Sequence, residues 1–281
     1  MPQVAAPDPC PQCGGRGWVV EPDGAAGAAR RCACRRRDAK PRLLEAAGVP
    51  PRYRGCRLDN FDVSQGPQGA RDQLLGARTV ARRYVEEFVA TQGRRGPGGL
   101  LFVGPAGVGK THLAVAVLLE LIEQLHLSGR FVDFTALVYQ IQSTFDPGSP
   151  DWQREILEPF LRADVLVLDE LGAMKSSPWV NDVLYLIVNG RYTRRQPTLF
   201  TTNYKIDETP REAVALDRVQ EKDPPSVKRD EPLSWRIPAP LLSRLHEMAQ
   251  PVLLTAADDF RRRYAGHGLA GASAAGAARA S

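Results

Sequence analysis

Short runs rich in apolar residues alternate with stretches of helical periodicity through most of this chain. The runs predict strands, several of them apolar throughout as in the centre of a parallel sheet, at residues 99–103, 130–134, 163–170, 198–203 and 252–255. Apolar residues recur at helical spacing over 70–91 and 179–194, and further helices are predicted at 112–119, from 135 onward and at 240–247. Strands that alternate with helices predict an α/β fold built on a parallel sheet.

Changes in composition divide the chain into four parts. Residues 1–40 form a small module with paired cysteines, residues 41–69 an ordered linker rich in proline and basic residues, and residues 70–265 the α/β domain. Within that domain, residues 207–232 carry many charges and prolines without periodicity, which predicts a flexible surface insert. Residues 266–281 are mostly alanine, glycine and serine and predict a disordered tail.

The overall composition is that of a globular chain with a modest basic excess. Of the 281 residues, 43% are apolar and 25% are charged, and the formal net charge is +5. This excess is compatible with nucleic-acid or acidic protein partners. No run reaches the length of a membrane span, and the first residues lack the apolar segment of a signal peptide. We therefore expect a cytoplasmic protein without a membrane partner.

Four of the five cysteines occur as two close pairs, Cys10 with Cys13 and Cys32 with Cys34. In a reducing compartment such pairs favour metal binding over disulfides, and four thiolates can bind one tetrahedral Zn²⁺. The glycine-rich spacer between the pairs predicts a small hairpin. A redox dithiol and unligated thiols remain alternatives. Cys56 has no partner in the sequence and is predicted to be a buried small residue.

The segment after the first predicted strand of the α/β domain has the pattern G-x-x-x-x-G-K-T and runs directly into a helix. Such a loop binds phosphates through backbone N–H groups and the helix N-terminus, while the lysine reaches the β- and γ-phosphates and the threonine can hold Mg²⁺. A glycine-rich turn that matches by chance is the alternative. The predicted ATP-binding residues are Gly104, Pro105, Ala106, Gly107, Val108, Gly109, Lys110, Thr111 and His112.

Two later predicted strands end in polar side chains that suit the same chemistry. The apolar run at 163–168 ends in Asp169 and Glu170, which is typical of a Walker B strand. Asp169 would then hold Mg²⁺, and Glu170 would act as general base toward water. Asn203 follows the next strand, where it can reach a γ-phosphate, because ligands gather at the carboxyl ends of parallel strands. Apolar strands often end in an acid by chance, and Asn is also a common turn residue.

Four segments of the chain together resemble the AAA+ ATPases of the bacterial helicase-loader group (DnaC/DnaI type) and their transposition-helper relatives (IstB type). In order, they are the G-x-x-x-x-G-K-T loop (the P-loop), Val-Leu-Val-Leu-Asp-Glu-Leu-Gly, Thr-Thr-Asn and Ser-Arg-Leu. The resemblance covers about residues 50–263. It implies a P-loop AAA+ domain in which Asn203 is sensor 1 and Arg244 is an arginine finger that reaches a neighbouring subunit, and thus a homo-oligomer when ATP is bound. No C-terminal lid and no sensor 2 arginine are evident.

Two functions follow from this resemblance. One is a loader or remodeller of a replicative DNA helicase. This loader would bind single-stranded DNA, and its zinc module would bind the helicase. The other is a transposition helper that binds duplex DNA and a transposase. The paired cysteines favour the first, since similar modules occur in helicase loaders. A metabolic kinase fits poorly, because the chain offers an arginine finger rather than an acceptor pocket and lid. Basic residues at 30–42 and 261–263 are either phosphate contacts or solvated charges.

Overall fold

The computed structural model describes residues 18–20, 29–31, 33–64, 67–93, 98–144, 156–206 and 232–254, with side chains from residue 40 onward. Within these residues no helix combines the length and the apolar character needed to cross a membrane. The predicted surface insert, the Arg261–Arg263 cluster and the predicted tail lie outside the described residues, as does the region where a C-terminal lid would be sought.

A five-stranded parallel sheet forms the centre of the fold, in agreement with the predicted α/β class. Its strands are β3 (Gly99–Val103), β4 (Gly129–Asp133), β5 (Val165–Leu171), β6 (Thr198–Thr202) and β7 (Ala249–Leu253), in the spatial order β4-β5-β6-β3-β7. All four neighbouring pairs are parallel. β3 lies next to the edge strand and β5 and β6 lie inside the sheet, so their carboxyl ends meet along one side.

The last strand differs most from its predicted position. The sequence placed it at 252–255, whereas β7 begins at Ala249, directly after the helix α7 (Ala239–Met248). The exposed Gln250 and Pro251 precede the apolar run at 252–255, so the first half of the strand was left out of the prediction. A proline is tolerated here because β7 is an edge strand, where one missing ladder hydrogen bond costs little.

Helices cover both faces of the sheet and generate two hydrophobic cores. The long helix α2 (Gln68–Ala90) and the helix α3 (Lys110–Leu125) pack on one face, which receives Leu100 and Phe102 of β3. The helices α4 (Phe134–Thr144), α6 (Pro178–Thr193) and α7 lie on the other face, which receives Leu101 and Val103. This alternation is the ordinary result of a strand's two-residue period. A short helix, α5 (Glu158–Arg162), precedes β5.

The segment that the sequence assigned to a linker belongs structurally to the first core. The helix α1 (Ala33–Ala46) begins inside the predicted N-terminal module and ends beyond it. After α1, the side chains of Ala47, Val49, Cys56, Leu58 and Phe61 are buried against α2 and α3. No period marks these residues, because they lie in irregular backbone on either side of a short 3₁₀ turn at Pro51–Tyr53. The predicted burial of Cys56 is confirmed, and burial raises the pKa of its thiol to about 11.

Near the N-terminus, two short strands confirm the predicted hairpin. β1 (Trp18–Val20) and β2 (Ala29–Arg31) pair antiparallel, with Trp18 opposite Arg31. The side chains of Cys10, Cys13, Cys32 and Cys34 lie outside the part of the chain that is described, and zinc binding there stays a prediction.

A fully buried arginine links the start of β6 to the second core. Arg191 on α6 is 0% exposed, and its guanidinium donates to four uncharged oxygens. The acceptors are Thr198 Oγ1 at 2.8 Å and the carbonyls of Phe160 at 2.6 Å, Ala163 at 2.9 Å and Pro197 at 2.7 Å. Burial lowers its pKa to about 9. The planar fork thereby ties α6 to the segments before β5 and β6.

We expect Arg191→Lys to destabilise the domain although it keeps the positive charge. One ammonium group cannot reach acceptors arranged around a planar fork, and buried carbonyls that lose their donor cost free energy. The free energy of unfolding, measured by urea titration, should fall by about 2 kcal/mol or more. The matched control is Arg194→Lys at an exposed position after the same helix, which should change stability by less than about 0.5 kcal/mol. Equal stability of the two variants would contradict this account.

Candidate nucleotide-binding site

At the carboxyl ends of β3, β5 and β6 the structure has a pocket of about 300 Å³. This is the edge where ligands bind in open α/β sheets. The pocket brings together most of the predicted site residues, from three separate parts of the chain. Its lining consists of Arg52, Tyr53, Asn60, Phe61, Asp62, Ala106, Gly107, Gly109, Lys110, Thr111, His112, Glu170, Thr201 and Asn203.

The P-loop owes its shape to glycines in left-handed backbone. Gly107 has φ +84° and Gly109, the N-cap of α3, has φ +92°. A Cβ on Gly109 would lie 2.5 Å from Cε2 of Phe61. A side chain at this position would therefore be strained and would also displace the ring that packs against the loop. The loop turns its backbone toward the pocket and starts α3 there, as an anion-binding helix N-terminus requires.

Lys110 is folded back over this loop. Its Nζ donates to the carbonyl oxygen of Pro105 at 2.7 Å, and the residue is 6% exposed. The ammonium is thus held at the mouth of the loop, among the residues that line the pocket. A phosphate bound by the loop would meet this positive charge and the backbone N–H groups together.

Asp169 lies under the pocket and connects two elements. Its carboxylate accepts from Thr111 Oγ1 at 3.0 Å and from Thr201 Oγ1 at 2.6 Å. Burial raises the pKa of Asp169, and these two hydrogen bonds oppose the rise. The hydroxyl of Thr111 and this carboxylate form a pair of oxygen donors, which is the ligand type that Mg²⁺ prefers. The predicted magnesium ligands therefore fit the ion and lie in contact with each other.

The backbone conformation of Glu170 is not one that the sequence pattern predicts. Its φ is +59°, in the left-handed region that a glutamate rarely occupies. It lies in an irregularity of the β5–β6 pairing between Leu168 and Leu171, and its N–H donates to Thr201 Oγ1 at 3.0 Å. The bulge turns the chain at the end of β5, where Glu170 joins the pocket lining. Uncommon backbone of this kind is concentrated at functional sites.

Residues 52–62 form a wall of the pocket that packs against the P-loop through Phe61, and sequence reasoning missed their role. The guanidinium of Arg52 lies 4.7 Å from the centre of the Tyr53 ring. His112, which was predicted to bind the nucleotide, connects α3 to this wall. Its Nε2 lies 3.0 Å from the carbonyl oxygen of Arg57, and its ring meets Phe61 edge-on at 5.4 Å. Burial lowers the pKa of His112, which favours a neutral ring in this contact.

Asn203 and Arg244 are placed differently. Asn203 follows β6 and lines the pocket, as predicted. Among the described residues that line it, Arg244 is absent. Its guanidinium lies instead over two tyrosine rings of α6, 5.2 Å from the centre of Tyr185 and 5.7 Å from that of Tyr192. Tyr192 in turn donates to Glu247 of α7 at 2.8 Å. The finger candidate thus lies on the α6–α7 surface.

Comparison with known proteins gives relatives from two groups. Residues 74–212 match the model of a family described as IstB-like ATP binding protein. Over 170 residues the chain is 28% identical to the replicative helicase loader DnaC of Escherichia coli strain K12, a match that covers 59% of this chain and 63% of that protein. It is also 27% identical over 166 residues to the insertion sequence IS5376 putative ATP-binding protein of Geobacillus stearothermophilus, with 59% of each chain covered.

Among solved structures, a crystal structure of the DnaC helicase loader superposes on this fold. Its TM-score is 0.54 at 28% identity, and the match covers 73% of this chain and 99% of the crystallised one. The chain spans less than two thirds of the length of the full-length DnaC that it matches. The described chain accordingly has an α/β P-loop fold similar to that of the DnaC helicase loader, and its residues 74–212 are similar to IstB-like ATP-binding proteins.

Proposed function

We propose that this protein is an ATPase that loads or remodels a replicative DNA helicase. The observation that carries the proposal is the likeness to the DnaC helicase loader, whose crystallised chain is matched over 99% of its length. A pocket lined by P-loop residues, Glu170 and Asn203, with Asp169 bonded to Thr111 of that lining, supports the enzymatic part. Because the match covers 63% of full-length DnaC, the helicase partner is a proposal about the whole protein.

The predicted phosphate-binding and catalytic residues have separate tasks in the proposed hydrolysis. The N–H groups of the P-loop and Lys110 bind the β- and γ-phosphates of ATP. Thr111 and Asp169 hold Mg²⁺, which offsets the negative charge of the phosphates when bound. Glu170 takes a proton from the attacking water, and Asn203 orients the γ-phosphate and that water. In this scheme the side chains and the P-loop position the ATP and the attacking water, and they stabilise the negative charge on the phosphates in the transition state.

Lys110 and Glu170 should affect different steps. Lys110→Ala removes a phosphate contact, and we expect weaker nucleotide binding, measured with a fluorescent ATP analogue. Glu170→Gln keeps the shape but removes the base, so binding should survive while kcat falls by about tenfold to a hundredfold or more. Glu87→Gln, at an exposed position on α2, is the matched control and should leave kcat unchanged. Normal hydrolysis by Glu170→Gln would show that Glu170 is not the base.

Arg244 should act on the nucleotide of a neighbouring subunit. In its own chain it lies over Tyr185 and Tyr192, and a finger adds to transition-state stabilisation more than to ground-state affinity. We expect Arg244→Ala to bind ATP normally but to lose the hydrolysis that depends on assembly. Mixing it with Lys110→Ala should restore part of the activity. At one kind of mixed interface, the Lys110→Ala subunit still presents Arg244 to the ATP bound by the Arg244→Ala subunit. Arg83→Ala, exposed on α2, is the control, and an inactive mixture with proven co-assembly would contradict a shared site.

We also propose that Cys10, Cys13, Cys32 and Cys34 bind one Zn²⁺. The antiparallel register is compatible with this, because Trp18, which follows the first cysteine pair in sequence, lies opposite Arg31, which directly precedes the second. Four thiolates in two close pairs are a common structural zinc site. Within the described part of the chain no cluster of three or more His, Cys, Asp or Glu could hold a metal. In the proposed division of labour this module holds the helicase, while the ATP-bound domain holds single-stranded DNA.

The N-terminal assignment can be tested by removing residues 1–31, which leaves α1 intact from Ala33. The full chain should contain about one zinc per molecule and capture the replicative helicase of its source organism, and the truncated chain should do neither. Nucleotide binding by the truncated chain should be unchanged, which serves as the control for folding. Helicase capture by the truncated protein would contradict the role of the module.

A second function is favoured by a specific relative, the IS5376 putative ATP-binding protein. The chain would then be a transposition helper that binds duplex DNA and a transposase. The two functions differ in the DNA that the ATP-bound protein prefers, and in either case phosphate contacts from basic residues predict salt-sensitive binding. If the full chain ignores the helicase and binds duplex DNA together with a transposase, this second function replaces the first.

A further inference from the structure

Thr201 connects the two acidic residues of the candidate site. Its Oγ1 donates to Asp169 Oδ1 at 2.6 Å and accepts from the N–H of Glu170 at 3.0 Å. The residue is 1% exposed, so water does not replace these partners easily. A hydroxyl has a single hydrogen to donate, and that hydrogen is used on the carboxylate. Serine could make the same pair of bonds, whereas valine and alanine could make neither.

The strand register shows why this hydroxyl matters to Glu170. Leu168 of β5 pairs with Phe200 of β6, and Leu171 pairs with Thr202. Two residues of β5, Asp169 and Glu170, therefore lie opposite Thr201 alone, which is the arrangement of a β-bulge. The bulge interrupts the backbone ladder, and the Thr201 side chain supplies a partner for the N–H of Glu170.

A left-handed glutamate persists only where its surroundings hold it there. The φ of +59° at Glu170 costs free energy relative to ordinary extended backbone. Beside the hydrogen bond from its N–H to Thr201, its carbonyl accepts from the N–H of Ala173 at 3.1 Å. Gly172, at φ +84°, continues the turn. Of these contacts, the one to Thr201 is made by a side chain and can be removed by substitution.

We infer that Thr201 is a positioning residue for ATP hydrolysis: its hydroxyl fixes the bulge so that Asp169 and Glu170 are presented together to the pocket. This inference rests on the proposed ATPase function. The same strand ends at Thr202 and is followed by Asn203, so the hydroxyl also connects the two acids to the strand that carries the third polar residue of the site. The Thr-Thr-Asn segment indicated a role for Asn203 and none for Thr201, because a threonine within a buried strand has the ordinary β propensity.

The opposing explanation is that Thr201 only fills space in the sheet, and β6 offers a matched control for it. Thr198 lies at the other end of the same strand and is also 1% exposed. Its Oγ1 likewise makes one bond as acceptor, from Arg191 Nε at 2.8 Å, and one as donor, to Gln196 O at 3.1 Å. Replacing either threonine by valine therefore removes two buried hydrogen bonds at equal depth. Only the change at position 201 touches Asp169 and Glu170.

The test compares Thr201→Val, Thr201→Ala and Thr201→Ser with Thr198→Val in the full chain. We expect Thr201→Val and Thr201→Ala to lower kcat by about tenfold or more while the Kd for a fluorescent ATP analogue changes less than about threefold. Thr201→Ser should restore kcat to within about threefold of the wild type, because it restores both bonds. Thr198→Val should lower the Tm to a similar degree but keep kcat.

Several results would overturn the inference. One is a kcat for Thr201→Val equal to that of Thr198→Val, and another is a serine variant as slow as the alanine variant. Alanine is included since a valine methyl group next to a carboxylate could impair folding. A wild-type chain that binds ATP without hydrolysing it would instead contradict the proposed ATPase. In that case a crystal structure of Thr201→Ala still decides about the bulge, since a Glu170 that keeps φ near +60° without the hydroxyl would overturn the positioning role.

Discussion

A buried carboxylate has to be given hydrogen bonds, and at Asp169 this requirement holds the site together. The two hydroxyls that satisfy it come from different elements, Thr111 from the first turn of α3 and Thr201 from β6. Because Asp169 is 5% exposed, solvent contributes little, and losing either donor would leave a costly buried charge. The need to satisfy one side chain therefore fixes the P-loop helix, β5 and β6 relative to each other, and the phosphate-binding loop is aligned with the acids as a result.

The same site depends on residues that do no chemistry. The wall formed by residues 52–62 is held against α3 by polar contacts, among them the bonds from Leu58 N to Glu120 at 3.3 Å and from Arg57 to Glu123 at 3.1 Å. Burial raises the pKa of Glu120, and the bond from Leu58 N opposes the rise. The wall also supplies the Phe61 ring that contacts Gly109 and His112. Thus the segment before the α/β domain completes the pocket.

The sequence predicted those features that depend on local pattern. Buried strands, amphipathic helices and the P-loop follow from periodicity and from glycines at fixed offsets, so β3, β5 and β6 were found within two residues of their observed bounds. The start of α3 was found as well, although the helix extends beyond the predicted residue 119 to Leu125. The wall and the role of Thr201 could not be predicted in this way. Both result from contacts between residues far apart in sequence, such as Thr201 with Asp169. Neither leaves a period, and the Thr-Thr-Asn segment indicated a role for Asn203 alone. β7 was misplaced for a related reason. Its pairing with β3 includes the exposed Gln250 and Pro251, which do not have the apolar character by which strands were predicted.

The arrangement also separates what one chain can do from what needs a second chain. P-loop residues, Glu170 and Asn203 line a pocket within a single chain, and Asp169 accepts a hydrogen bond from Thr111 of that lining, so the residues proposed to bind ATP all belong to one chain. Arg244 lies instead on the α6–α7 surface, where the rings of Tyr185 and Tyr192 hold its guanidinium by cation–π contact. In the proposed assembly Arg244 would stabilise the transition state at the pocket of a neighbouring chain, so hydrolysis would depend on assembly while binding would not.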